Sequence, residues 1–333
     1  MALTATGGLL SAMDILIVKT SSLGDVVHNL PMVSDIRARF PSAHIDWMVE
    51  KAFADIPALH PAIRTVIPVS LRRWLRAPWR PQTWRDFKRF REALRETRYD
   101  IVLDSQGLLK SAALARQALG PVYGPDRGSA RESWAAWLYQ KGVPVEWEQH
   151  AVGRNRSLAA GALGYPVPTT APDYGLISPQ PSKVAGAPPY CVALHATSRA
   201  SKLWSQESWV KLGKKLAERG LSTLWPSGSR KEELTAHDIA RAVGPRARAL
   251  PRLNVQELAA IIGTAEVVVG VDTGLVHLAA ALNRPTVGIF CDSDPKQTGV
   301  LAANAASLGG VGSQPSVEAV IQALRNAGVG ATS

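Results

Sequence analysis

The chain alternates short apolar runs with stretches whose apolar residues recur every three or four positions. This is the pattern of strand–helix–strand units that build a parallel sheet. In the first half, apolar runs predict strands over 14–19, 44–50, 64–69 and 99–104. Val26, Leu30, Val33, Ile36 and Phe40 predict a helix over 26–40, and similar spacing predicts helices over 84–97, 109–119 and 131–140. Proline and glycine then accumulate over 164–189, with Pro166, Pro168, Pro172, Pro179, Pro181, Pro188 and Pro189. Such a segment holds neither a long helix nor a central strand and predicts a linker. A second series follows, with strands predicted over 190–195, 222–226, 267–271 and 286–290, and helices over 206–219, 231–243, 255–262, 274–282 and 316–327. The expected fold is α/β: a Rossmann-like domain over 13–170, a linker over 171–188, a second Rossmann-like domain over 189–312, and a closing segment over 313–333. Two such domains facing one another leave a cleft. Ligands of open parallel sheets sit beyond the carboxyl ends of strands, so Asp25 is expected on one wall and Lys202 and Asp272 on the other.

Composition changes this picture little. A chain of 333 residues exceeds what one core organises, and 46% hydrophobic with 20% charged residues reads as an ordinary globular protein. The two cysteines, Cys191 and Cys291, adjoin apolar runs and are expected to be buried thiols, because nothing resembles metal-ligand spacing. No apolar run approaches the roughly 20 residues of a membrane span. Residues 1–12 lack the basic start and long apolar core of a signal peptide and are expected to be a disordered extension, with Met13 an alternative start. Charge does add something. The net +11, with a pI near 9.9, favours an anionic partner: nucleic acid, an anionic membrane or a phosphorylated substrate.

Three junctions after predicted strands carry candidate chemistry. The first runs from Lys19 through Thr20, Ser21, Ser22, Leu23 and Gly24 to Asp25. Asp25 is either a charge that favours the helix start, worth about 0.3–1 kcal/mol, or a general base over a bound hydroxyl. The loop lacks the second glycine and Lys-Ser/Thr pair of a P-loop. The second junction runs from His195 to Trp204, where Thr197, Ser198 and Lys202 precede a helix; it suits a phosphate or diphosphate, or is a solvated basic loop. The third holds Asp272, Thr273 and Gly274, with His277 one turn on. A single Asp-Thr-Gly followed at once by a helix is not an aspartic protease, which needs two such carboxylates. Thr273 and Gly274 offer amides to a phosphate and Asp272 an acceptor to a hydroxyl, while His277 is either a ligand or a packed helix residue.

Two further features stay open on residues alone. Ser227 to Glu233 fits a ribose contact through Glu232, or Glu232 and Glu233 simply favour a first helical turn. The stretch 71–98 holds ten basic and three acidic residues, with Trp74, Trp79 and Trp84 interleaved. It reads as a nucleic-acid surface, a membrane interface, or a solvated helix face with packed tryptophans.

Together these loops resemble those of the ADP-heptose–lipopolysaccharide heptosyltransferases, glycosyltransferase family 9. ILIVKTSSLGDVVHNLP resembles the family's opening, and IPVSLRRW, DSQGLLKSA, HATSRASKLW and VDTGLVHLAAAL resemble later segments in the same order, from about Met13 to the last helix. The resemblance implies the GT-B fold, two facing Rossmann-like domains with parallel sheets and an inter-domain cleft, the last helix packing back on the first domain. It implies Asp25 as catalytic base, and donor contacts from Thr197, Ser198, Lys202, Glu232, Asp272, Thr273, Gly274 and His277. Acceptor contacts are implied for Ser22, Gly24, Arg72, Arg73, Arg76, Lys110 and Arg131, which would meet acidic sugar and phosphate groups. At Ser198 the family carries a second threonine, and the hydroxyl is retained. After Asp294 the match is loose and assigns no site.

The implied activity is an inverting transfer of L-glycero-D-manno-heptose from ADP-heptose to a Kdo of Kdo2-lipid A, in assembly of the lipopolysaccharide inner core. No cofactor or metal is expected; Gly270 stands where an Asp-x-Asp metal pair with Asp272 would need a carboxylate. The expected setting is a monomer on the cytoplasmic face of the inner membrane, held peripherally by anionic lipid, with no nucleic-acid partner. Competing readings are a later heptose transfer or another nucleotide-sugar transferase of the same family, a basic nucleic-acid-binding protein using 71–98, and a non-catalytic nucleotide-sugar sensor. The nucleic-acid reading explains the charge but leaves the junctions at Asp25 and Asp272 without a purpose.

Overall fold

The computed structural model describes residues 12–327, so the expectation for residues 1–12 falls outside it but for one residue. The chain divides into two compact units between Gly175 and Leu176, inside the expected linker. Residues 165–189 hold no helix or strand, as their prolines require.

The first unit is built on six parallel strands: β1 (Asp14–Val18), β2 (His44–Glu50), β3 (Ile63–Val69), β4 (Ile101–Asp104), β5 (Val122–Pro125) and β6 (Lys141–Val143). Their order is β3-β2-β1-β4-β5-β6. The central strands β1 and β4 read as near-continuous apolar runs because helices cover both faces. The edge strand β3 alternates in exposure and tolerates Pro68, whose missing N–H is harmless at an edge. The helix expected over 26–40 is two, Leu23–Val27 and Leu30–Arg39. Pro31 has no N–H to give the Val27 carbonyl and its ring would strike that oxygen, so the helix restarts. The helix expected over 131–140 is a tighter 3-10 segment, Ser133–Leu138. The helices Leu71–Arg76 and Ala151–Leu163 were not predicted.

The second unit repeats the plan with β7 (Tyr190–Leu194), β8 (Ser222–Trp225), β9 (Ala247–Ala249), β10 (Val267–Val271), β11 (Thr286–Phe290) and β12 (Ala305–Gly309). Their order, β12-β11-β10-β7-β8-β9, is the same arrangement when counted within the unit. Gly270 is needed where β10 runs beside β7, since a Cβ there would lie 2.8 Å from Leu194 Cβ. Cys191 and Cys291 are free and buried in this core. Trp204, Trp209 and Trp225 pack edge to face, at centroid distances of 5.0 and 5.6 Å. The last helix, Val317–Asn326, buries Val317, Val320, Ile321 and Leu324 in the second unit's core. Among the described residues no helix is long and apolar enough to cross a membrane.

Candidate functional site

In a sheet of this order the connections diverge between the two central strands, and the crevice left at their carboxyl ends receives ligands. In the first unit that point lies between β1 and β4, in the second between β7 and β10. The predicted junctions fall there in both.

In the first unit, the loop after β1 is tied to the loop after β4. The buried Lys19 donates from Nζ to the Ser105 carbonyl at 2.7 Å. Gln106 Oε1 accepts the Thr20 and Ser21 N–H groups at 3.0 and 3.2 Å. Asp25 sits in the first turn of Leu23–Val27, after Gly24. Its Oδ2 accepts the Ser22 N–H at 2.7 Å and the Ser22 hydroxyl at 2.9 Å. Among the described residues, Oδ1 takes no protein hydrogen bond. The helix-start reading of Asp25 is therefore real for one oxygen and leaves the other for chemistry. Burial lowers the Lys19 pKa, while the charges of Asp25 and Asp104 oppose that shift. Asp104, wholly buried behind Lys19, is pushed up by desolvation against hydrogen bonds from Ser111 and Tyr139 at 2.8 and 2.9 Å.

A second cation, Arg154, faces Asp25 from the helix Ala151–Leu163. Its guanidinium donates to the Trp147 and Gln149 carbonyls at 2.9 and 2.7 Å, and burial lowers its pKa while Asp25 raises it. Arg131 repels both Lys19 and Arg154, so it belongs to the same electrostatic neighbourhood. The next residue, Glu132, holds the Leu109 N–H at 2.7 Å, beside the exposed Lys110. Arg72, Arg73 and Arg76 are elsewhere in the unit, on Leu71–Arg76. They line a pocket of about 670 Å³ with Glu50, Trp79 and Arg80. Arg73 pairs with Asp86, and Glu50 accepts the Arg72 N–H at 3.0 Å.

In the second unit, three side chains converge on one carboxylate and a fourth reaches the same residue's backbone carbonyl. Asp272 directly follows β10, and its Oδ2 accepts from Lys202 Nζ at 2.5 Å and Ser293 Oγ at 2.6 Å. His277 Nε2 stands 3.7 Å from Oδ1, and the Thr197 hydroxyl donates to the Asp272 carbonyl at 2.8 Å. Burial alone would raise this carboxyl; His277, Lys202 and Ser293 outweigh it and hold it well below the usual carboxylate range. Thr273 precedes the helix Gly274–Ala281 in extended backbone, so the first amides of that helix open beside Asp272. Glu232 begins a neighbouring helix, Arg230–Val243. One of its oxygens accepts the Gly228 N–H at 2.8 Å, and its carbonyl lies 3.2 Å from His195 Nε2. Ser198 is exposed on the rim of a cavity of about 450 Å³ that Thr197, Glu232 and Trp209 also line.

Three neighbours were missed. Gln106 and Ser293 lie just beyond β4 and β11, where the after-strand rule would have pointed. Arg154 stands within a helix whose sequence gives no such signal. Chemically, the second unit offers a cation, helix amides and a hydroxyl-accepting carboxylate together, the set for a diphosphate joined to a polyol. The first unit offers a carboxylate with an open oxygen among cations, suited to deprotonating a hydroxyl of an anionic ligand.

Residues 87–324 match the model of Glycosyltransferase family 9 (heptosyltransferase). Lipopolysaccharide heptosyltransferase 1 of Pseudomonas aeruginosa is 44% identical over 298 residues, 89% of this chain and 84% of its own. Escherichia coli heptosyltransferase WaaC, solved with ADP, superposes with a TM-score of 0.88 at 39% identity, over 95% of this chain and 100% of that one. Lipopolysaccharide heptosyltransferase 2 of E. coli is more distant, at 26% identity over 319 residues, 86% of this chain and 85% of its own.

Proposed function

The chain belongs to glycosyltransferase family 9, and from that premise we propose that it transfers L-glycero-D-manno-heptose from ADP-heptose to a Kdo of Kdo2-lipid A. The observation that carries the donor half is the meeting of Lys202, Thr197 and the Gly274 helix start around Asp272. The first-heptose assignment is supported by 44% identity to a heptosyltransferase 1 against 26% to a heptosyltransferase 2.

The reaction is a single displacement. A Kdo hydroxyl oxygen attacks the anomeric carbon of heptose, the bond from that carbon to the phosphate oxygen breaks, and its electron pair leaves with ADP. The hydroxyl proton passes to Asp25, whose Oδ1 is the acceptor because Ser22 occupies Oδ2. An ordinary aspartate, with a pKa near 3.9, is a weak base. It assists as the hydroxyl acidifies during bond formation, by about 10²–10⁴ in rate. Negative charge grows on the diphosphate, where Lys202 and the amides of Thr273 and Gly274 stabilise it. Glu232 holds the ribose, Asp272 the heptose, and Thr197, Ser198, Thr273, Gly274 and His277 the diphosphate side. Ser22, Gly24, Lys110, Arg131 and the trio Arg72, Arg73 and Arg76 receive the acidic acceptor. The transfer needs no metal, since fixed cations do the neutralising.

The enzyme works as a monomer at the cytoplasmic face of the inner membrane, held there by anionic lipid, with the basic stretch 71–98 as contact. The deciding assay offers ADP-heptose with Kdo2-lipid A and with an already heptosylated acceptor. Turnover of the first only is expected, undiminished by EDTA. Preference for the heptosylated acceptor, or activity restored only by magnesium, overturns the corresponding part.

A further inference from the structure

Of the ten tryptophans, Trp47, Trp74, Trp204, Trp209 and Trp225 are buried. The other five, Trp79, Trp84, Trp134, Trp137 and Trp147, are 48–75% exposed and all belong to the first unit. Single exposed rings are ordinary; five in one unit and none in the other mark a surface. Topology says where it is. Trp79 and Trp84 follow β3, Trp134 and Trp137 follow β5, and Trp147 follows β6. Trp79 and Trp147 lie just past the carboxyl ends of β3 and β6 and Trp84 in the first turn of the helix after β3, while Glu132, hydrogen-bonded to Gly107 and Leu109 just past β4, holds the start of the Trp134–Trp137 segment near the edge that carries Asp25 after β1.

Two patches result. In the first, Leu75, Trp79 and Trp84 stand among Arg76 and Arg80. In the second, the rings of Trp134 and Trp137 meet edge to face at 4.7 Å. The Leu109–Glu132 hydrogen bond keeps the exposed Leu109 beside them, with Lys110 and Arg131 adjoining. The segments bearing both patches pack on one core cluster, through Trp74 and Phe90 in one case and Ala135 and Tyr139 in the other. In strand order they lie on either side of β1 and β4, about 15–20 Å apart at normal strand spacing.

We propose that the second patch, Trp134 and Trp137 with Leu109, is a membrane anchor distinct from the basic stretch 71–98, so that the first unit meets an anionic bilayer at two points flanking Asp25. This rests on the lipid-linked acceptor proposed above. Indole rings favour the headgroup layer, and neighbouring Arg and Lys draw anionic lipid. Two such patches on one sheet edge suit a flat partner that touches both at once. The acceptor sugar then reaches Asp25 while its acyl chains stay in the bilayer.

The test is co-sedimentation of the full chain and of Trp134→Ser/Trp137→Ser with vesicles of phosphatidylethanolamine and phosphatidylglycerol, and with phosphatidylcholine alone. Partitioning of the variant is expected to fall about tenfold or more on both vesicles, with unchanged salt dependence, because apolar burial and not charge is removed. Transfer to a deacylated, water-soluble acceptor should equal wild type, which also shows that the variant is folded. Wild-type partitioning by the variant overturns the anchor. If wild type transfers heptose to neither acceptor while vesicle binding still falls in the variant, the heptose reading fails and the anchor stands.

Discussion

Asp25 and Asp272 both flank the central crevice of sheets with the same strand order, Asp25 after the first strand of its unit and Asp272 after the fourth, and their surroundings are opposite. Asp272 is saturated: Lys202 and Ser293 share one oxygen, and His277 approaches the other. Asp25 leans on its own Ser22 through one oxygen, with Lys19 and Arg154 attracting it from nearby. A carboxylate held by several donors is a fixed acceptor that orients hydroxyls and seldom takes a proton. One with an open oxygen is available to receive it. The sheet supplies the location in both units, and the few side chains around each carboxylate decide between holding and reacting.

Substitution can break this contrast. The largest effect is expected from Asp25→Ala, a loss of about 10²–10⁴ in turnover with ADP-heptose affinity unchanged by calorimetry. Weakened donor binding in that variant would put Asp25 on the holding side and end the comparison. Lys202→Ala comes next. Losing a charged hydrogen bond of about 1.5–3 kcal/mol should lower kcat/KM by one to two orders of magnitude and weaken ADP binding, opposite to Asp25→Ala.

The pH dependence of stability should follow. The folded pKa of Asp272 is depressed, so below the unfolded value near 3.9 the unfolded chain binds the extra proton. The stabilisation is complete above about pH 4 to 5 and is lost as pH falls toward the lower folded value. Lys202→Ala should shrink that acid slope in thermal melts; an unaltered slope would assign the depression to other partners. The smallest effect is expected from Ser293→Ala. Loss of one hydrogen bond, about 0.5–1.5 kcal/mol, should raise donor KM a few-fold to about tenfold with kcat nearly kept, and Ser293→Thr should restore it.

The central architecture was legible because β1, β4, β7, β10 and β11 are buried on both faces and so read as near-continuous apolar runs. What escaped was at the flanks. β5, β6, β9 and β12 are three to five residues long, carry Gly, Pro or charge, and are identified by pairing with a neighbour rather than by their own pattern. Ala151–Leu163 contains Gly153 and Gly161, which weaken a helical signal; Gly161 is required because a Cβ there would lie 2.5 Å from Val143. The polar junctions were readable from position after a strand. Arg154 was not, since its electrostatic proximity to Asp25 depends on how a helix late in the unit packs against Leu30–Arg39.

The tryptophan trio of the second unit has an optical consequence. Three indoles within 5.0 and 5.6 Å of one another, nearly perpendicular and dry, couple their electronic transitions. The result should be a near-ultraviolet dichroic band to which the trio contributes beside the Trp134–Trp137 pair of the first unit, whereas the five solvated indoles of the first unit dominate the red side of the emission. Trp204 and Trp209 line the cavity beneath the Thr197 loop, so occupancy of that cavity should perturb the trio's share of the band, which Trp134→Ser/Trp137→Ser isolates by removing the first unit's pair.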